Sequence, residues 1–243
     1  MKVFTLDLKN EGVTLTAYLP DLSKEMPNMD KRAAVLVIPG GGYHFCSDRE
    51  AEPIAFKFIG AGYSVFILRY SLCENAEFPK PLEDAEEALS LIREKADEWN
   101  IDPDKVAAIG FSAGGHLTAA LSTMGKVRPN AQILGYACIL EKMSDILAKP
   151  IPGVDKEVDD KTPPAFIFAS AEDNVVPIAN SLIYAEKLSE HGIPFEMHIF
   201  EKGYHGFSTG EKSVYARPED AAYNADCAVW TDLCMRWLDR QFS

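Results

Sequence analysis

Residues 106–122 read VAAIGFSAGGHLTAALS, and the succession of residue types in that stretch decides the fold. Val106, Ala107, Ala108 and Ile109 form an apolar run with no polar alternation, the pattern of a strand buried on both faces, as in a parallel sheet. Gly110-Phe111-Ser112-Ala113-Gly114 interrupts it, and a helix-forming run from Ala113 to Ser122 follows. A G-x-S-x-G string between a strand and a helix is the setting that lifts a serine hydroxyl to the edge of a sheet on a sharp turn. Small neighbours let the chain turn that tightly, and the helix N-terminus behind Ser112 favours a developing negative charge. The plainer alternative is a glycine-rich turn in which Ser112 only caps the helix.

On either side the same grammar repeats. Upstream, AAVLVIP (33–39) is another continuous apolar run, ending in Gly40-Gly41-Gly42. The segments 3–8 and 13–19 read as an N-terminal hairpin turned by Asn10-Glu11-Gly12. Strands are predicted over 64–68, 106–111, 133–140, 165–169 and 195–200, with helices over 51–60, 79–99, 113–122, 177–191 and 219–240. Strand and helix alternating this regularly predict an α/β fold: a mostly parallel central sheet with helices on both faces, as one domain over 1–243. Ligands of such sheets bind beyond the carboxyl ends of the strands.

At those ends lie the residues that a serine nucleophile needs. An alcohol is a weak nucleophile at neutral pH and requires a base. Strand-to-helix serine folds supply the acid and the histidine later in the chain, in that order. Asp173 follows the apolar run PAFIFAS, and His205 follows the strand over 195–200, within Gly203-Tyr204-His205-Gly206. Glu172 is the alternative acid. For the oxyanion of a tetrahedral intermediate, backbone N–H donors are needed at close range. Gly41, Gly42 and Ala113 are the candidates. The rival reading of the triple glycine, a phosphate-cradling loop, lacks the Gly-Lys-Ser/Thr that such loops carry.

Of the other histidines, His198 falls inside a strand, His191 ends a helix, and His116 lies one turn beyond Ser112, where a packed, hydrogen-bonded role is expected. His44 follows the glycine loop and is a candidate substrate contact. No His/Cys/Asp spacing suggests a metal, and no dinucleotide fingerprint follows a strand, so neither metal nor cofactor is expected.

Composition narrows the classes. The 243 residues are 47% hydrophobic and 25% charged, with net charge −13. That acidity argues against nucleic acid, whose binding rests on Lys and Arg neutralising phosphates. It mildly favours neutral or cationic substrates and otherwise serves solubility. The five cysteines form no CxxC pair, as in a reduced protein. The N-terminus lacks the roughly 7–15-residue apolar core of a secretion signal, and no run approaches a membrane span. A cytoplasmic location without membrane attachment is the expectation; oligomeric state is not legible.

The stretches IPGGGYHFCSDREAEPIA, GYSVFILRYSL, DPDKVAAIGFSAGGHLTAAL, PPAFIFASAEDNVVP and GYHGFS together resemble the small α/β-hydrolase esterases that include bacterial acetyl esterases and acetyl-xylan or feruloyl carbohydrate esterases. The resemblance implies a Ser112–Asp173–His205 triad, a glycine-loop oxyanion hole, and short acyl groups, often acetyl, on carbohydrate alcohols. It also places Tyr43, Tyr70 and Arg49 near the mouth of the site, as candidate substrate contacts. Arg49 beside Glu50 or Glu52 also reads as a plain solvated ion pair. Two features depart from the pattern: Pro39 stands where lipase-like relatives often carry His, and only Glu141–Pro164 is free to act as a cap. That minimal cap implies an open pocket. Two other functions compete: a peptidase of the prolyl-oligopeptidase type, and a binding protein that kept the fold without catalysis.

Overall fold

The apolar runs become the inner strands of one eight-stranded sheet in a computed structural model that describes residues 1–243. The strands are β1 (Lys2–Asp7), β2 (Thr14–Leu19), β3 (Arg32–Ile38), β4 (Ser64–Arg69), β5 (Ile101–Phe111), β6 (Ala131–Gly135), β7 (Ala165–Ser170) and β8 (Phe195–Phe200). Their order is β1-β2-β4-β3-β5-β6-β7-β8. Only β1–β2 and β2–β4 are antiparallel; every other pair is parallel. The helices are α1 (Glu52–Gly60), α2 (Lys80–Glu94), α3 (Ala96–Trp99), α4 (Ser112–Thr123), α5 (Ala179–Glu190), α6 (Pro218–Tyr223) and α7 (Trp230–Phe242).

Two apolar layers explain why the inner strands show no polar alternation. Successive side chains of a strand point to opposite faces. Ala34, Leu36 and Ile38 of β3 therefore join the larger buried cluster, under α2, α4 and α5. Val35 and Val37 join the other, with α1 and α7. Each face thus demands an apolar residue at every position.

β5 begins at Ile101 rather than at the expected Val106, and three further elements differ in extent, each for a local reason. The helix expected over 79–99 breaks at Lys95, and the following turn sets Trp99 against Phe66 and Phe4, with ring centroids 5.3 and 5.8 Å apart. The strand expected over 133–140 stops at Gly135, because Tyr136 turns the chain out of the sheet at φ +35°. The closing helix expected over 219–240 is interrupted between α6 and α7. There Asn224, fully buried, leaves helical geometry to accept the Tyr204 N–H at 2.8 Å, one residue before His205.

Segment 141–164 contains only 3-10 turns, over Glu141–Ile146 and Val154–Glu157. It is nonetheless anchored, burying Met143, Ile151, Val154 and Val158 in the larger cluster. No helix is long and apolar enough to cross a membrane.

Candidate active site

The turn between β5 and α4 holds Ser112 at φ +52°, a left-handed conformation that costs a non-glycine residue energy and persists only when its surroundings enforce it. Asp173 follows β7 and His205 follows β8. The structure brings all three together. His205 Nε2 lies 2.9 Å from Ser112 Oγ, and His205 Nδ1 lies 2.8 Å from Asp173 Oδ2. A carboxylate only accepts, so Nδ1–H donates to Asp173, and the bare Nε2 accepts from the serine hydroxyl. The Asp173 side chain is only 1% exposed. Its second oxygen accepts the N–H groups of Val175 and Val176, each at 2.9 Å, which fixes the carboxylate's direction. Glu172 is directed elsewhere: it accepts the Tyr223 hydroxyl.

The glycine loop packs beside the serine. A Cβ added to Gly40 would stand 3.0 Å from Ser112 Cβ. At Gly41, φ is +126° and an added Cβ would be 2.1 Å from the Phe45 carbonyl oxygen, so only glycine fits. The Gly40 N–H is committed to Glu50 Oε2 at 2.9 Å. Those of Gly41 and Gly42 donate to nothing in the chain and line the same cavity as Ser112. Ala113 occupies the first turn of α4, where backbone donors have no intrahelical acceptor.

The cavity holds about 240 Å³. Ser112, His205, Gly41, Gly42 and Gly206 contribute to it, with Ser47, Arg49 and Glu50 as polar neighbours and Phe45, Ile146, Leu147 and Val175 as apolar ones. Segment 141–164 helps build it. The Ala148 N–H donates to the Gly42 carbonyl at 2.9 Å, so the short cap is hydrogen-bonded directly to the glycine loop.

Tyr43 and Tyr70 are not substrate contacts: they are 1% and 2% exposed and lie beneath the loop. The Tyr70 hydroxyl donates to the Pro39 carbonyl at 2.7 Å, and the Tyr43 hydroxyl lies 2.8 Å from His116 Nδ1. Their rings meet edge to face at 5.5 Å. They brace the loop from behind. His44 is exposed, lies against Gly42, and contributes nothing to the cavity wall. His116 is fully buried and bridges three segments: Tyr43 donates to Nδ1, and Nε2–H donates to the Pro152 carbonyl at 3.0 Å. Burial pushes its pKa down to about 4, partly countered by the Pro152 carbonyl, so the ring is neutral near pH 7.

Glu50 and Tyr136 are site residues that the sequence does not advertise. Glu50, 3% exposed, accepts the Tyr136 hydroxyl through Oε1 at 2.6 Å while Oε2 holds Gly40. The Tyr136 oxygen in turn accepts the Ser208 N–H at 3.1 Å, and its ring lies 5.1 Å from that of His205. Burial and the neighbouring Glu50 raise the Tyr136 pKa well above the ordinary phenol value, so it remains a donor. Tyr43, Tyr136 and Ser208 all have positive φ, as Ser112 does. Strained backbone therefore gathers around this one site. The Cys138 thiol lies 4.0 Å from Ser112 Oγ. Burial raises its pKa to about 12, which keeps it protonated and inert.

The comparisons with known proteins point the same way. Residues 18–137 match the BD-FAE family model, and residues 147–228 match that of the prolyl oligopeptidase family. The chain is 48% identical to MGS-M1, an α/β-hydrolase enzyme from a Medee basin deep-sea metagenome library, covering 99% of this chain and 98% of that one with a TM-score of 0.94. An acetyl ester-xyloside bifunctional hydrolase from Caldicellulosiruptor lactoaceticus is 31% identical, with 97% and 90% covered and a TM-score of 0.81. Among curated proteins, an acetylxylan esterase of Xylanibacter ruminicola and endo-1,4-beta-xylanase B of Butyrivibrio fibrisolvens are each 32% identical over 86% of this chain. The chain spans only 47% and 38% of their respective lengths.

Proposed function

The chain belongs to the α/β-hydrolase family, and from that premise we propose that it is a serine carboxylesterase removing short acyl groups, acetyl above all, from acetylated sugars or xylo-oligosaccharides. The observation that carries this reading is the continuous hydrogen-bonded line from Ser112 Oγ through His205 to Asp173, beside two uncommitted N–H groups at Gly41 and Gly42.

In the first step Ser112 Oγ attacks the ester carbonyl carbon while His205 Nε2 takes the hydroxyl proton. Asp173 holds the tautomer and stabilises the imidazolium. The carbonyl oxygen becomes an oxyanion, held by the N–H groups of Gly41, Gly42 and Ala113. When the tetrahedral intermediate collapses, the C–O bond to the alcohol breaks and His205 returns its proton to the leaving oxygen. A water molecule then attacks the acyl-serine with His205 as base, releasing the carboxylic acid and the free serine. The acyl-xylan reading draws on the acetylxylan esterase and acetyl ester-xyloside relatives.

A substrate panel on purified protein tests it: aryl acetate, butyrate and octanoate, an acetylated xylo-oligosaccharide, and a peptidyl anilide. Acetate should lead, and Ser112→Ala should reduce kcat by about 10⁶-fold. Faster cleavage of the anilide would favour the peptidase reading, which the match over residues 147–228 keeps in play. Failure of Ser112 to take a fluorophosphonate label would instead favour a non-catalytic binding protein.

A further inference from the structure

Arg49 is the one lysine or arginine lining the cavity that holds Ser112 and His205. In a chain with 37 acidic and 24 basic side chains, an arginine should readily find a carboxylate. The neighbouring carboxylates are all committed elsewhere. Asp48 and Glu52 face Arg69, at 2.8 and 3.9 Å, and Glu211 pairs with Lys57. Both oxygens of Glu50 are occupied, by the Gly40 N–H at 2.9 Å and the Tyr136 O–H at 2.6 Å. The ion pair that the sequence suggests between Arg49 and Glu50 or Glu52 does not form. The guanidinium makes no ion pair and no hydrogen bond within the chain, while the backbone carbonyl of the residue accepts the Ser208 hydroxyl.

The fork nevertheless has a defined place. It lies over Gly206, the residue after His205, where an added Cβ would stand 3.1 Å from Arg49 Nη2. Any side chain at 206 would press on the guanidinium. Around the same cavity stand Phe45, Ile146 and Val175, exposed by 59%, 48% and 46%. Arg49 is itself exposed, so the two-point geometry of its fork, more than a lowered dielectric, would give it selectivity.

We propose that Arg49 recognises a carboxylate carried by the ester substrate, so that the preferred esters of this site are anionic. The inference rests on the esterase reading above and narrows its substrate class to acylated acids, such as acetylated uronate-bearing sugars, or half-esters of dicarboxylic acids. A planar guanidinium with free donors matches a carboxylate with two parallel hydrogen bonds, which a lysine ammonium does not reproduce. The chain's net charge of −13 opposes such a substrate at a distance, and at close range the one acidic side chain in the cavity wall is Glu50, whose two oxygens are already occupied by Gly40 and Tyr136. Salt screens charges beyond roughly 8 Å under physiological conditions, whereas the guanidinium acts at contact.

Paired substrates test the proposal. On the alcohol side, 4-acetoxybenzoate is compared with 4-acetoxybenzamide. On the acyl side, the 4-nitrophenyl half-ester of glutarate is compared with 4-nitrophenyl butyrate. In at least one pair the anionic member should have the higher kcat/KM by about tenfold, and the pair that responds identifies the side bearing the charge. Arg49→Gln should bring that ratio close to one, and Arg49→Lys should restore it only in part. A ratio equal in wild type and Arg49→Gln for both pairs overturns the proposal. Calorimetric binding of 4-acetoxybenzoate and of glutarate to Ser112→Ala protein, with and without Arg49→Gln, decides the anion claim without turnover. An enzyme inert toward every ester would defeat the esterase reading, yet an Arg49-dependent anion affinity would still stand. Affinity for both anions that is indifferent to Arg49 would defeat this inference alone.

Discussion

Glu50 and Tyr136, 86 residues apart in sequence, share a buried hydrogen bond of 2.6 Å that couples the glycine loop to the histidine loop. One carboxylate holds Gly40 on one side and the Tyr136 hydroxyl on the other, and Tyr136 in turn holds Ser208. The glycine loop and the His205 loop are therefore tied through Glu50 and Tyr136, beside a second link from the Ser208 hydroxyl to the Arg49 carbonyl. Glu50→Gln replaces one acceptor oxygen by a donor. It should lower kcat by up to about 10²-fold, the cost of misplacing reacting groups by about an ångström, with KM moving far less. Tyr136→Phe should do the same in smaller measure. Steady-state kinetics together with melting temperature check this; a loss confined to stability would mean that the bridge only supports the fold.

The acid is tested by a pair of neighbours. Asp173 meets His205 at 2.8 Å while Glu172 is engaged by Tyr223. Asp173→Asn should reduce kcat by roughly 10⁴-fold through the wrong imidazole tautomer, and Glu172→Gln should leave turnover near wild type. The reverse pattern would move the acid to Glu172.

His116 makes stability depend on pH. Its folded pKa is depressed to about 4, against about 6.5 in an unfolded chain. Between those values the unfolded chain binds the extra proton, so stability rises with pH across the window and is lost as pH falls from about 6.5 toward 4. The full loss is on the order of 3 kcal/mol. Urea unfolding at pH 7, 5.5 and 4.5 should show this slope, and it should flatten in His116→Gln. An identical slope in the variant would assign the effect to other groups.

Acyl length should matter sharply. A cavity of about 240 Å³ is smaller than the usual range for ligand pockets, roughly 300–1,000 Å³. Turnover of aryl esters should fall once the acyl chain exceeds about four carbons, because its far end must then leave the cavity. An octanoate cleaved faster than an acetate would contradict this.

Much of the architecture was legible because it is written in local rules. Buried strands announced themselves as AAVLVIP and VAAIG, and the order serine, acid, histidine marked three strand ends. Ser112 and Asp173 can be named because each sits just past an apolar run, and His205 because it follows the last predicted strand. Glu50 and Tyr136 cannot. A glutamate in SDREAE looks like surface, and Tyr136 looks like one more strand residue until its positive φ is seen. Tyr43 and Tyr70 show the converse: closeness in sequence to the glycine loop does not say which side of it a ring lies on, and both are buried beneath it. Segment breaks at Lys95 and Asn224 were likewise invisible, since they answer to tertiary partners, Phe66 for Trp99 and the Tyr204 N–H for Asn224.

The hydrogen bond from Ala148 to the Gly42 carbonyl makes the short cap and the glycine loop parts of one object. An engineer who exchanged residues 141–164 for those of a cousin, hoping to redirect selectivity alone, would also re-aim the amides that face the reacting oxygen. On the esterase reading proposed above, substrate choice and catalytic power should therefore drift together, and recovering one after such a graft will require compensating changes in the glycine loop itself.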